Sequence, residues 1–158
     1  MARMTDPFDA LTKFQRALRD GDIDLRPGEL DPTLVVHLDR PAGTLRLTYA
    51  RLDGRKVIAL AMMVSTEPLN GLPCYQAGVA VAKAHRGKGH AKSITEAAIA
   101  EMKNGLARNG VPSFYVEAIV NIENEPSKKV AAATISSSPV AITDHDSGLP
   151  ALQYLKKV

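Results

Sequence analysis

The chain has few of the residue types that most directly indicate a function. Among its 158 residues there is one cysteine, Cys74, and no tryptophan, and aromatic residues make up only 4%. A single cysteine excludes an intramolecular disulfide and any metal site built from cysteine pairs, and it suits a reducing compartment. The length predicts one domain spanning residues 1–158, with a core built mainly from alanine, valine, leucine and isoleucine.

Long apolar runs are also missing. No stretch reaches the ~18 consecutive apolar residues that a membrane-spanning helix needs. The acidic N-terminal region lacks the apolar segment of a secretory signal. We therefore expect a cytoplasmic protein with no membrane partner. The net charge of +3 permits an anionic ligand or nucleic acid and selects neither.

Hydrophobic spacing divides the chain into helices and strands. Residues 5–20 have helical spacing, with Thr5 or Asp6 as the cap and Pro7 in the first turn. Further helices are predicted over 89–108 and from 126 through 133. Strands are predicted over 34–38, 45–50, 57–64, 75–81, 114–120, 139–143 and 151–156, with turns at 53–54 and 68–73. Because a strand–helix–strand unit follows antiparallel hairpins, we expect an α+β fold with a mixed, mostly antiparallel sheet of about six to seven strands flanked by helices.

The stretch RGKGHA, residues 86–91, falls where a predicted strand hands over to a helix. The first turn of a helix leaves backbone N–H groups unpaired, and its dipole favours an anion there. Gly87 and Gly89 have no Cβ, so a ligand can approach the backbone closely. Two interpretations follow from these residues alone: a cradle for a diphosphate, or a tight turn with a solvated basic surface.

Two familiar phosphate motifs do not fit this stretch. A Walker A loop would need glycine where Ala82 stands and serine or threonine where Gly89 stands. A dinucleotide fingerprint would need its third glycine at Lys92. The phosphate interpretation therefore requires a different motif.

A third motif does fit. Arg86-x-x-Gly89-x-Ala91 resembles the R/Q-x-x-G-x-G/A loop of the GNAT superfamily of acetyl-CoA-dependent N-acetyltransferases. Upstream, residues 79–81 are similar to that family's splayed fourth strand, which pairs with the pantetheine arm. Residues 115–133 resemble its next strand and helix, including an N-x-x-S element. The resemblance rests on motifs over 75–133 and on the order of elements elsewhere.

This resemblance implies an acyl-CoA N-acyltransferase fold with acetyl-CoA as co-substrate. The acetyl group would pass to a primary amine by direct attack in a ternary complex. In the family, backbone N–H groups of the loop hold the pyrophosphate. The implied cofactor-binding residues are Val79, Val81, Arg86, Gly87, Lys88, Gly89, His90, Ala91, Asn124 and Ser127.

The resemblance identifies the catalytic acid and base less directly than it identifies the cofactor-binding residues. Many family members carry a tyrosine acid seven residues after the asparagine, where this chain has Ala131. A base or a water chain must still deprotonate the amine, since a free lysine has a pKa of about 10.4. Glu117 is the first candidate for that base, with an outward-facing strand residue as the alternative. Tyr75 is the second candidate, as an acid or a positioning hydroxyl.

The sequence leaves the acceptor open. A small molecule, a protein or an aminoacyl-tRNA could each supply the amine. One competing function is an RNA- or ribosome-binding module that uses the basic loop at 83–92. Another is a CoA-binding protein without turnover. The apolar stripe from Phe8 to Leu18 is consistent with core packing or with a homodimer contact.

Overall fold

Three helices and eight strands make up residues 7–158, the part of the chain that this computed structural model describes. The helices are α1 (Pro7–Asp20), α2 (His90–Arg108) and α3 (Glu125–Thr134). The strands are β1 (Arg26–Pro27), β2 (Leu34–Asp39), β3 (Arg46–Asp53), β4 (Lys56–Leu69), β5 (Leu72–Val81), β6 (Tyr115–Asn121), β7 (Val140–Thr143) and β8 (Pro150–Lys157). Within residues 7–158, no helix combines the length and hydropathy needed to cross a membrane.

The strands form one sheet in the order β1-β2-β3-β4-β5-β6-β8-β7. Every neighbouring pair is antiparallel except β5 and β6, which are parallel because α2 carries the chain back to the same end of the sheet. The predicted α+β class with a mixed, mostly antiparallel sheet is confirmed. The extra strand is β1, whose two residues are too few to show an alternation in the sequence.

Helix α1 begins at Pro7 and ends before Gly21, whose φ of 72° stops the helix. The predicted caps at Thr5 and Asp6 lie outside the described residues. The side chain of Gln15 fastens α1 across the β3–β4 hairpin. Its amide nitrogen donates to the Arg55 carbonyl at 2.8 Å, and its oxygen accepts from the Val57 N–H at 2.7 Å.

The helices divide the sheet into two faces. Helix α1 packs on one face, here called the α1 face, against Ala50, Leu60, Met62 and Ala80. Helices α2 and α3 pack on the opposite face, here called the α2 face. Strand β4 is buried from 59 to 63 because helices cover both of its faces, as its unbroken apolar run predicts.

The turn predicted over 68–73 is wrong in its extent. Strand β4 continues to Leu69 and β5 starts at Leu72, so only Asn70 and Gly71 form the turn. Both have positive φ, at 50° and 76°, as a two-residue hairpin requires. The register shifts between Thr66 and Leu69, and this irregularity admits Pro68 into a strand that its missing N–H would otherwise interrupt.

The connection between α1 and β2 is held by a buried carboxylate. Glu101 of α2 is only 8% exposed and accepts hydrogen bonds from the backbone N–H groups of Glu29, Leu30 and Asp31, at 2.9, 2.6 and 2.9 Å. A Cβ at Gly28 would lie 2.5 Å from the Asp31 carbonyl oxygen, so this turn requires glycine. The connection is therefore fixed against α2.

Candidate active site

The loop from β5 to α2 has a defined shape. Residues 83–85 form a short 3-10 turn. The Arg86 Nε then donates to the Val81 carbonyl at 3.1 Å, and its guanidinium lies 5.3 Å from the centre of the Phe8 ring. Gly87 and Gly89 have φ values of 76° and 82°, a region that favours glycine. Arg86 therefore ties the loop to the end of β5 and to α1.

The start of α2 presents a row of unpaired backbone N–H groups. The first hydrogen bond into the helix runs from the Ser93 N–H to the Gly89 carbonyl, at 3.1 Å. In the described chain, no protein acceptor takes a hydrogen bond from the N–H groups of residues 87–92. Gly87, Lys88 and Gly89 are exposed, and a Cβ at either glycine would meet no atom within 4 Å. A phosphate-bearing ligand has free access to these donors.

Strands β5 and β6 separate beside this loop. Only three residue pairs join them, and the last is Gln76 with Glu117. From Ala77 to Val81, β5 is paired with β4 alone, so its other edge borders a gap in the sheet. The side chains of Val79 and Val81 pack on the α2 face, and their backbone lines this gap.

The structure places the two predicted catalytic residues on opposite faces of the sheet. Glu117 is half-buried on the α1 face, and its Oε2 accepts a hydrogen bond of 2.6 Å from Gln153 of β8. Tyr75 pairs with Val116 and lies in the core on the α2 face, edge-on to Phe114 with ring centres 5.9 Å apart. Burial raises the pKa of Tyr75. Only Glu117 lies at the point where the strands separate.

Asn124 and Ser127 lie at the start of α3. The Asn124 side chain is the N-terminal cap, and its oxygen accepts from the Ser127 N–H at 3.2 Å. This bond gives the N-x-x-S spacing a local structural role. Ala131 is 4% exposed within the core, so a side chain at this position points into the α2 face.

Cys74 does not have the surroundings of a nucleophile. The thiol is 3% exposed, and burial, with a smaller effect from the charge of Glu117, raises its pKa to about 11. A thiol with so high a pKa is protonated at neutral pH and reacts slowly. Residues 7–158 hold no group of three or more His, Cys, Asp or Glu side chains arranged to bind a metal ion.

A cavity of about 350 Å³ lies between α1 and the sheet, at a place that no sequence motif predicts. Its polar lining includes Lys13, His37, Asp39, Arg46 and Thr48. These residues come from α1, β2 and β3, and the first and last of them, Lys13 and Thr48, lie 35 positions apart in the sequence. The alternation of β2 and β3 places His37, Asp39, Arg46 and Thr48 on one face, but only the packing of α1 shows that they line a cavity, which is partly open to solvent.

The strand order, the parallel β5–α2–β6 unit and the gap beside it define an α+β protein with the fold expected from the sequence. Residues 11–133 match the acetyltransferase (GNAT) family, and the chain belongs to that family. Members of this family use acetyl-CoA as co-substrate. No match was found among proteins with curated functions.

Solved structures share the fold at low sequence identity. Escherichia coli ElaA is 12% identical, with a TM-score of 0.52 over 94% of this chain and 89% of its own. RimL, a ribosomal L7/L12 alpha-N-protein acetyltransferase solved with coenzyme A, is 14% identical, with a TM-score of 0.53 over 70% of this chain and 61% of its own. An acetyltransferase from Salmonella typhimurium that modifies the N-terminal serine of L7/L12 is 13% identical, with a TM-score of 0.53 over 72% of this chain and 64% of its own. The chain thus spans less than two thirds of the last two.

Proposed function

We propose that the protein is an N-acetyltransferase that moves the acetyl group of acetyl-CoA to a primary amine by direct attack in a ternary complex. The observation that carries this proposal is the row of N–H groups over residues 87–92, unpaired within the described chain, beside the gap between β5 and β6. Membership of the acetyltransferase (GNAT) family supports it.

Each part of the site has one task in this proposal. The N–H groups from Gly87 to Ala91 bind the diphosphate, where several contacts of ~0.3–1 kcal/mol each act together. The free edge of β5 at Val79 and Val81 binds the extended arm through backbone hydrogen bonds. Arg86 holds the loop in shape, and Lys88 adds positive charge to an exposed surface. Asn124 and Ser127 approach the ligand from the start of α3.

The chemistry requires a neutral amine and a stabilised oxyanion. Glu117, at the point where the strands separate, takes a proton from the amine directly or through water. The amine nitrogen then bonds to the carbonyl carbon, and an unpaired N–H near Val81 stabilises the oxyanion. The C–S bond breaks, the nitrogen releases its second proton to solvent, and the departing thiolate takes up a proton to become the free thiol. Because a thiol has a pKa near ~8.5, it leaves without a strong acid, which makes alanine tolerable at position 131.

Calorimetry with acetyl-CoA tests the cofactor site, and Gly89→Asp is the decisive variant. An aspartate here places its own carboxylate on the N–H groups that the diphosphate needs, so we expect binding to weaken by more than ~10-fold. Gly89→Asn is the matched control, because asparagine has nearly the same size and tolerates positive φ but carries no charge. We expect it to retain more of the affinity than the aspartate variant.

Three results would contradict this proposal in different ways. Undiminished affinity in Gly89→Asp would reject the placement of the diphosphate. Binding of acetyl-CoA without thiol release for any amine would leave a CoA-binding protein without turnover. RNA binding that falls steeply with salt, together with no heat from acetyl-CoA, would favour the RNA-binding alternative.

A further inference from the structure

The cavity under α1 is large enough for a small molecule. Its volume of about 350 Å³ lies within the ~300–1,000 Å³ that ligand pockets occupy. Phe14 of α1 and Leu60 and Met62 of β4 supply an apolar wall. The other walls carry polar groups from α1, β2 and β3, so the cavity is amphipathic.

The charges that line the cavity favour an anion. Arg46 and Asp39 neutralise each other, since the Arg46 Nε donates to Asp39 Oδ1 at 2.9 Å and a second bond joins Nη2 to Oδ2 at 2.5 Å. The His37 Nδ1 is engaged with the Asp24 carbonyl at 3.1 Å. Lys13 forms no ion pair with any carboxylate of residues 7–158. The lining therefore has one uncompensated positive charge and no uncompensated acid.

The hydroxyl group of Thr48 is also open to a ligand in the cavity. Thr48 is 4% exposed, and its side chain lines the cavity. None of the residues that the structure describes exchanges a hydrogen bond with its hydroxyl group. No buried side-chain oxygen or nitrogen of the described residues lacks a hydrogen-bond partner, so the Thr48 oxygen is reached from the cavity by solvent and is available to a bound molecule.

Strand β4, which lines the cavity, is separated from the gap by β5 alone. Thr48 pairs with Met62, and Met62 pairs with Gly78, whose outer edge borders the gap. Two strand spacings separate Thr48 from Gly78, a distance of ~10 Å. Gly78 places no side chain on the α1 face between Met62 and the gap, and α1 packs over the neighbouring Ala80. The next cross-strand row runs from Arg46 through Val64 and Gln76 to Glu117, which brings the base candidate to the same side of the sheet.

We propose that this cavity binds the acceptor, and that the acceptor is a small primary amine that also carries a carboxylate. The carboxylate lies at Lys13 and the Thr48 hydroxyl, the apolar part of the molecule lies against Phe14 and Met62, and the amine points across Gly78 toward Glu117. This inference rests on the proposed acetyl transfer, since it names the acceptor class of that reaction.

The same lining argues against a polyamine acceptor. A second ammonium group would need an acid to receive it, and desolvating a charge without a partner is costly. Asp39 is the carboxylate among the lining residues, and Arg46 already occupies both of its oxygens. Lys13 would add repulsion.

The test compares carboxylate amines with their neutral amides. 6-Aminohexanoate and 8-aminooctanoate, whose amine and carboxylate lie far enough apart to reach from Lys13 across Gly78, are each assayed beside the matching carboxamide and beside spermidine, by thiol release from acetyl-CoA. We expect at least one carboxylate amine to exceed its own amide by ~10-fold or more in kcat/KM. Equal rates for every acid–amide pair, or a preference for spermidine, would overturn the proposal.

Two variants locate the effect in the cavity. Lys13→Met should raise the KM for the preferred carboxylate amine at least ~5-fold and leave the KM for its amide unchanged, with Lys103→Met on the exposed face of α2 as control. Ala17→Leu should fill part of the cavity and raise the acceptor KM further, with Ala100→Leu, also exposed on α2, as control. An unchanged KM in the folded Lys13→Met variant would overturn the proposal even if Ala17→Leu does not fold.

Calorimetry separates this proposal from the proposed function. The preferred amino acid is titrated into protein that is saturated with CoA, and acetyl-CoA is titrated alone. Binding of acetyl-CoA with no binding of any amino acid overturns the acceptor class and leaves acetyl transfer intact. If an amino acid binds, Lys13→Met weakens that binding and no turnover is seen, the cavity is supported as the binding site and the proposed acetyl transfer is rejected.

Discussion

At the scale of single residues, the proposed base Glu117 is the side chain to test first. We expect Glu117→Gln to lower kcat by ~10²–10⁴-fold, because the amide keeps the contact with Gln153 but cannot take a proton. The Kd for acetyl-CoA should not change. The pH profile of kcat/KM should also lose the limb that the base contributes, which a purely structural role would not alter.

Tyr75 provides the comparison for this experiment. It lies on the opposite face of the sheet from Glu117, in the core beside Phe114. Tyr75→Phe should therefore leave kcat within a few-fold of the wild-type value. A large loss of kcat in Tyr75→Phe, with little change in Glu117→Gln, would reverse the two assignments.

At the scale of elements, one carboxylate determines how the α1–β2 connection sits on the fold. Glu101→Gln should lower the free energy of unfolding by ~1.5–3 kcal/mol, because it weakens charge-assisted bonds to three backbone N–H groups. Urea denaturation measures this change.

Glu96→Gln is the matched control for Glu101. Glu96 lies on the same helix, is exposed, and its Oε1 lies 3.9 Å from the Lys92 Nζ. A surface pair of this kind contributes ~0–1 kcal/mol. Equal destabilisation by the two variants would show that the backbone contacts of Glu101 contribute little.

The elements themselves were largely predictable because their apolar spacing reports which face is buried. Helix α2, strand β4 and strand β6 each have a burial pattern that follows their sequence pattern. The failures were local: two prolines in the stretch 68–73 suggested a long turn, and an irregular register admitted Pro68 into β4 instead. Strand β1 gives no sequence signal because it has only two residues.

The cofactor loop could be predicted from the sequence, and the cavity could not. The loop at 86–91 is one contiguous segment, so the sequence alone shows both its glycines and its position before a helix. The cavity is assembled by packing α1 on β2, β3 and β4, and its polar side chains are scattered through the sequence. Opposite placement of Glu117 and Tyr75 follows from the register of β5 on β6, which periodicity in one strand does not determine.

At the scale of the whole molecule, stability should fall in alkaline solution. Burial raises the pKa of Cys74 to about 11 and also raises the pKa of Tyr49 and of Tyr75. Above the unfolded thiol pKa of ~8.5, the unfolded chain loses protons that the folded protein retains. The contribution of Cys74 is therefore complete below about pH 8.5 and is lost as the pH rises through its folded pKa.

Thermal melts at a series of pH values measure this effect. We expect Tm to decrease steadily from about pH 8.5 to 11, and the decrease to be smaller in Cys74→Ala. The alanine variant will be less stable throughout because it leaves a small void, so the slope against pH is the quantity to compare. A slope identical to that of the wild type would exclude the thiol as a contributor.

The short junction between β5 and β6 has a thermodynamic consequence for the folded chain as a whole. Three residue pairs join strands β1–β5 to strands β6–β8. The helices make a second connection, because α2 packs on β3, β4 and β5 and contacts α3, which packs on β6. A substrate bound in that gap would contact β5 on one side and β6 on the other, and would hold the two parts of the sheet together. Part of the binding free energy would then add to the free energy of unfolding, and the protein would be most stable while substrate is bound.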